Sequence, residues 1–191
     1  MDADFSVELG SEDPVLDFPW TDVSGRLAYF DLKRHPELLA LVEETRERPE
    51  LSEFLRCVNS ARSIVESAKC DVWATTELTP EEEIVDASHK FASYVDLVVS
   101  RADQRQSFLE HEQFAKRLVA LLRRAPEMSS SAEVCVRRCF FGEASETREG
   151  FYFTVYVNGY GSDEVGARQN WAIGMKLVGS AIVQLSGQNG I

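Results

Sequence analysis

Basic residues are scarce in this chain: 20 Lys and Arg stand against 32 Asp and Glu, a formal net charge of −12. Neutralising phosphates needs clustered Lys and Arg, and here the basic residues are dispersed among acids. That argues against nucleic acid as a partner, and against anionic membrane surfaces for the same reason. No segment reaches ~18 uninterrupted apolar residues, so no transmembrane helix is expected. Met1-Asp2-Ala3-Asp4 lacks the basic start of a secretory signal. The four cysteines, Cys57, Cys70, Cys135 and Cys139, contain no Cys-x-x-Cys spacing and are too few for a disulfide scaffold. Reduced thiols in a cytoplasm are the simplest reading.

Catalytic and cofactor signatures are missing too. His35, His89 and His111 are never three or four residues apart, so no metal site is expected. There is no Walker loop, Gly-x-Ser-x-Gly or kinase motif. Gly159-Tyr160-Gly161-Ser162 lacks dinucleotide-binding spacing, and Asp163-Glu164 would repel an anion, so it reads as a turn and helix cap. Glu81-Glu82-Glu83 and Asp163-Glu164 read as helix-start acids. No cofactor is expected, and an enzyme is the least favoured reading.

The stretch with most pattern is Gly150 to Ser186. Phe151, Phe153, Val155 and Val157 alternate with Tyr152, Thr154, Tyr156 and Asn158, which predicts a strand. Gly159 and Gly161 are expected to break it, with Ser162 as the N-cap of a helix. Trp171, Met175, Val178, Ile182 and Leu185 form that helix's buried stripe, and Gly187 its stop.

Upstream, residues 1–66 are expected to be an N-terminal extension that packs on the body. It holds an extended Leu16-Phe18-Trp20 segment and two short helices opened by Pro36 and Pro49. Cys70 to Leu78 reads as a strand, and Thr79-Pro80 as a helix start. Residues 89–100 fit strand or helix equally well. Ala102 to Arg124 reads as a helix with His111 on its apolar stripe, a packing histidine. Ala132 to Phe141 reads as a strand, followed by a polar turn through Gly142 and Gly150.

A shift of 60 lays Phe91, Val95, Leu97 and Leu118 over Phe151, Val155, Val157 and Val178, and a shift of 62 lays Asp71-Val72 over Glu133-Val134. The expected fold is therefore α+β. It is a two-layer sandwich with a four-stranded antiparallel sheet, from a duplicated strand-strand-helix unit (67–126 and 131–187 within a 67–191 core).

In that sheet one face takes the helices, while Trp73, Tyr94, Arg137, Tyr152, Tyr156 and Asn158 share the other, with Cys135 and Cys139 ~13 Å apart on it. Three covers suit this aromatic, polar face: the N-terminal helices, a second copy, or a ligand. Arg138 breaks the alternation, which a bulge near Arg137-Arg138 would repair. The leading expectation is a non-catalytic binding or assembly module, a homo-oligomer or partner-binder using the sheet face or the last helix. Gly166, Asn170 and Gly174 suit either a core position or a dimer seam there. The rival is a small-molecule-binding protein that stacks a planar or anionic ligand on the aromatics and Arg137.

Overall fold

A computed structural model describes the protein except at residues 26–27, 80–81, 83–86, 144–145 and 189–191. Strand β1 spans Asp2–Glu8, β2 Leu16–Phe18, β3 Val65–Thr75, β4 His89–Val99, β5 Ser130–Glu143 and β6 Glu146–Gly161. Helix α1 spans Pro49–Val58, α2 Phe108–Leu122 and α3 Glu164–Gln188. β3 pairs antiparallel with β4, β4 with β6, and β6 with β5.

The expected four-stranded antiparallel sheet is too small. The sheet is open, mixed and six-stranded, because β1 and β2 both pair in parallel with the outer edge of β5. β1 alternates Ala3, Phe5 and Val7 with Asp2, Asp4, Ser6 and Glu8, a period-two pattern hidden in an acidic composition. The order strand, strand, helix occurs twice between residues 65 and 188.

Local chemistry sets the helix ends. Ser107 Oγ accepts from the Glu110 N–H and caps α2, so the helix begins six residues later than Ala102, after a 3-10 turn at Ala102–Gln104. Asp163, not Ser162, caps α3: its carboxylate accepts from the Gly166 N–H at 2.7 Å. Gly187 does not stop α3, which runs to Gln188. Pro36 opens a 3-10 turn (Pro36–Leu41), and Pro49 opens α1. The helix expected from Pro80 falls outside the described residues.

One sheet face carries Phe91, Val95, Leu97, Val134, Val136, Phe153, Val155 and Val157, all buried under α2 and α3. The ambiguous stretch at 89–100 is thus a strand. Trp171, Met175, Val178 and Ile182 fill the space above it, and α1 adds Leu51, Phe54, Leu55 and Val58. Gly174 and Gly179 sit at close approaches inside this layer, against Val157 and against Phe54 and Cys57. Those positions of α3 belong to the core. Gly142 and Gly150 are not in a turn: both lie within the β5–β6 hairpin, paired with Thr147 and Cys139.

Leu16, Phe18, Trp20 and Tyr29 form a strap over one end of the opposite face. Leu16 and Phe18 are buried with Ala68, Val98, Cys139, Phe141 and Tyr152, and Trp20 and Tyr29 pack on them. Cover there comes from strand and loop. The short helices of the N-terminal region lie on the other side of the sheet. The Trp20 indole donates to Ala68 O at 2.6 Å, and Lys33 Nζ donates to Ser63 O and Val65 O at 2.7 and 2.9 Å.

Candidate functional site

Among the described residues the middle of that face lies uncovered between the strap and Glu82, which accepts from the Tyr160 hydroxyl at 2.9 Å at the far end. Register fixes what stands there. Asp71, Tyr94, Tyr156 and Glu133 lie side by side across β3, β4, β6 and β5. The adjoining row sets Trp73 beside Ala92, Asn158 and Ser131. Successive side chains alternate faces, so these residues all point away from the helices.

The aromatic rings form a chain. Trp73 and Tyr94 have centroids 6.5 Å apart, Tyr94 and Tyr156 6.2 Å, both tilted. The Arg137 guanidinium lies 5.6 Å from the Tyr156 centroid. Trp73 is 38 % exposed, a large apolar side chain left in water. Tyr94 and Tyr156 are half-buried beside it.

Beneath this row runs a polar chain. Thr154 Oγ1 donates to Asp96 Oδ1 at 2.7 Å and accepts from Arg137 Nη1 at 2.9 Å. Arg137 Nη1 also donates to the Tyr156 hydroxyl at 3.1 Å. Arg137 Nε and Nη2 meet Glu8 Oε2 at 2.8 and 2.6 Å. All three guanidinium nitrogens are thereby engaged, and Arg137 is buried.

Of the sequence-derived site residues, Trp73, Tyr94, Tyr156 and Arg137 come together. Asn158 joins at the far end, where its Nδ2 donates to Ser131 Oγ at 3.2 Å. Tyr152 does not: it is 3 % exposed and lies in the cluster beneath the strap. Burial pushes its hydroxyl pKa up to about 12. The bulge expected at Arg137-Arg138 is absent, since β5–β6 pairing is continuous from Ser130↔Gly159 to Glu143↔Glu146. Arg138 keeps its helix-side parity near the sheet's end, where Nη2 donates to Gly10 O at 2.5 Å. The irregularity lies in β3 instead, between Ser67 and Lys69.

Asp96, on this face by alternation but not among the sequence-derived site residues, is 6 % exposed. Burial pushes its carboxyl up to about 6, while the Thr154 bond and then the charges of Arg137 and Lys69 pull it down. Its signal was an acid on the face of Tyr94, alternating with Val95 and Leu97 on the helix side. A carboxyl raised from 3.8 to about 6 by folding favours the protonated form. Its stabilising protonation is therefore full below pH ~4 and lost as pH rises to ~6. Asp96→Asn should make the protein about 1–3 kcal/mol more stable at pH 7.5 and flatten the stability profile between pH ~4 and ~6. Urea unfolding at several pH values measures this; an unchanged slope would refute it.

The outer edge of β3 is occupied by side chains of the same molecule. Lys33 takes Val65 O, Asn59 Oδ1 takes Ser67 N–H, Trp20 takes Ala68 O, and Asp71 Oδ1 takes Val72 N–H. Such an edge is blunted against strand addition. Among the described residues no group of three His, Cys, Asp or Glu is placed to hold a metal ion. No described helix is long and apolar enough to cross a membrane. No known protein family, curated protein or solved structure matches the chain.

Proposed function

We propose that the protein is a non-catalytic assembly module that docks a second copy of itself on the uncovered middle of the sheet face. The observation that carries this is the Trp73–Tyr94–Tyr156 row, with Trp73 exposed at its end. Occupation of the β3 edge favours face-to-face packing over strand addition. Exposed Lys69 and Asp71 give the patch both signs, so a twofold-related copy can set one against the other despite the net charge. The rival reading, an anion held by Arg137, is weaker because Glu8, Thr154 and Tyr156 already take that guanidinium.

The patch is small. An aromatic side chain buries at most ~150–250 Å², and two of these rings are already half-buried, so the contact falls short of the ~800 Å² per partner of a stable complex. Dimerisation is expected only at high concentration, from about 10 μM to 1 mM. Sedimentation equilibrium over that range should show a monomer–dimer equilibrium that Trp73→Glu abolishes with circular dichroism unchanged. A wild-type chain that stays monomeric at about 1 mM sinks the proposal.

A duplicated origin for the two strand-strand-helix units is part of the same reading. The shift of 60 makes Val95 the counterpart of Val155, and these two residues pair with each other, as residues flanking a local twofold axis would. Halves of related chains that align no better than chance would reject it.

A further inference from the structure

Asp96 is a carboxylate that the fold buries without giving it a cation. It stands on β4 between Tyr94 of the uncovered patch and Val98 beneath the strap. Oδ1 accepts from Thr154 Oγ1 at 2.7 Å. Oδ2 accepts no hydrogen bond among the described residues and is not sealed from solvent. The cations that act on it are Arg137 and Lys69, and both are committed elsewhere. Lys69 lies directly opposite on β3, but its ammonium sits over the Trp20 ring, 5.6 Å from the centroid. Arg137 reaches Asp96 only through Thr154 and is held by Glu8.

Burying a charge is costly unless it is paired. What surrounds this one suits a cation that comes from outside. The row beside it runs Asp71, Tyr94, Tyr156, Glu133: two rings between two exposed carboxylates. Trp73 extends the rings on the β3 side, 6.5 Å from Tyr94. Ring faces attract cations, most strongly where water is partly excluded. Arg137 already uses Tyr156 in this way, whereas no cation lies over Tyr94 or Trp73 among the described residues.

We infer that this corner of the face is a binding site for a small arylalkylammonium ion, its ammonium on Asp96 Oδ2 and its ring against Tyr94 and Trp73. The inference goes beyond self-docking and does not rest on it. An ammonium supplies the donor and the charge that Oδ2 lacks, and an aryl body matches the two rings. Asp96 must be ionised to hold it. Burial pushes that carboxyl up to about 6. Affinity should therefore be full above pH ~7 and about tenfold lower at pH ~5. The titratable and charged groups that face Asp96 are Lys69 and Asp71 on β3, Tyr94 on β4, Tyr152 and Tyr156 on β6, and Arg137 on β5.

The test uses benzylamine and benzyl alcohol, which share a ring and differ in charge. Saturation-transfer NMR on the full chain at about 10 μM, the dilute end of the docking range, should show saturable benzylamine binding with Kd about millimolar at pH ~7.5. Benzyl alcohol should bind at least ~10-fold more weakly, the usual worth of a charged hydrogen bond. Benzylamine affinity should fall about tenfold from pH ~7.5 to ~5, while that of the alcohol stays constant. Asp96→Asn, which leaves the fold at least as stable, should bind both probes equally at either pH. Equal binding by the wild type, no saturable binding, or an affinity unchanged at pH ~5 would each overturn the assignment. So would a preference that survives Asp96→Asn, since exposed acids such as Asp71 and Glu133 would then hold the amine. A chain that binds benzylamine yet stays monomeric refutes self-docking alone. One that dimerises yet ignores benzylamine refutes this site alone.

Discussion

Gly159→Ala is expected to abolish the native fold. Gly159 lies inside β6, between Phe91 of β4 and Ser130 of β5. A Cβ there would stand 2.1 Å from Trp171 N and 2.3 Å from Ala167 O. Both contacts are backbone of α3, so no rotamer change relieves them. The helix would have to lift from the sheet, taking with it Trp171, whose indole donates to Ser93 Oγ at 2.8 Å and whose ring packs 4.8 Å from Phe91. The loss should exceed ~4 kcal/mol, enough to unfold a domain at the low end of the usual ~5–15 kcal/mol. Gly187→Ala is the control: nothing lies within 4 Å of its added Cβ, and it should be neutral or slightly stabilising. Urea unfolding followed by circular dichroism compares them. A Gly159→Ala protein with near-wild-type stability would mean that α3 does not rest on β6 as described.

The second large effect is at Arg105. Its guanidinium lies 4.8 Å from the Phe141 ring and 5.5 Å from Phe18. Nε donates to Val99 O at 2.8 Å, and Nη2 meets Glu66 Oε1 at 3.1 Å. Glu66 is buried, and burial raises its pKa while Arg105, foremost among its neighbours, lowers it. Arg105→Met removes that partner and should cost about 3–5 kcal/mol, because a carboxylate then stays buried without its closest cation. Two readouts separate charge from packing. The variant should regain stability as pH falls towards 5, since Glu66 protonates more readily when unpaired. The double variant Arg105→Met, Glu66→Met should recover much of the loss. A single variant as stable as wild type, or a double variant worse than the sum, would refute the pairing argument.

Gly159 also shows where sequence reasoning stops. The glycines were read as breakers because glycine is unfavourable inside strands. Their use here is to let a helix backbone reach the sheet, which depends on a helix that begins after them. Period-two alternation in Phe151–Val157 and the α3 stripe were legible because burial on one face writes itself into local spacing. Parity also placed Trp73, Tyr94, Tyr156 and Arg137 on one face. It could not show that the strap covers Tyr152, nor that Glu8, 129 residues away, takes Arg137. Those facts are long-range, and nothing in the spacing near Tyr152 or Arg137 carries them. His111 was read as a packing residue, and its ring does pack on Phe153.

The parallel pairing of β1 with β5 bears on how the chain is made. Asp2 lies opposite Ser131, so the first strand has no partner until most of the sequence has left the ribosome. At ~5–20 residues per second that is a wait of roughly 6–26 s. An apolar strand left unpaired for so long would invite other nascent chains. β1 instead carries Asp2, Asp4 and Glu8 along its length, and its own three apolar residues are Ala3, Phe5 and Val7. The acidity that disguised this strand in the sequence would repel other copies of so acidic a chain until β5 arrives to receive it.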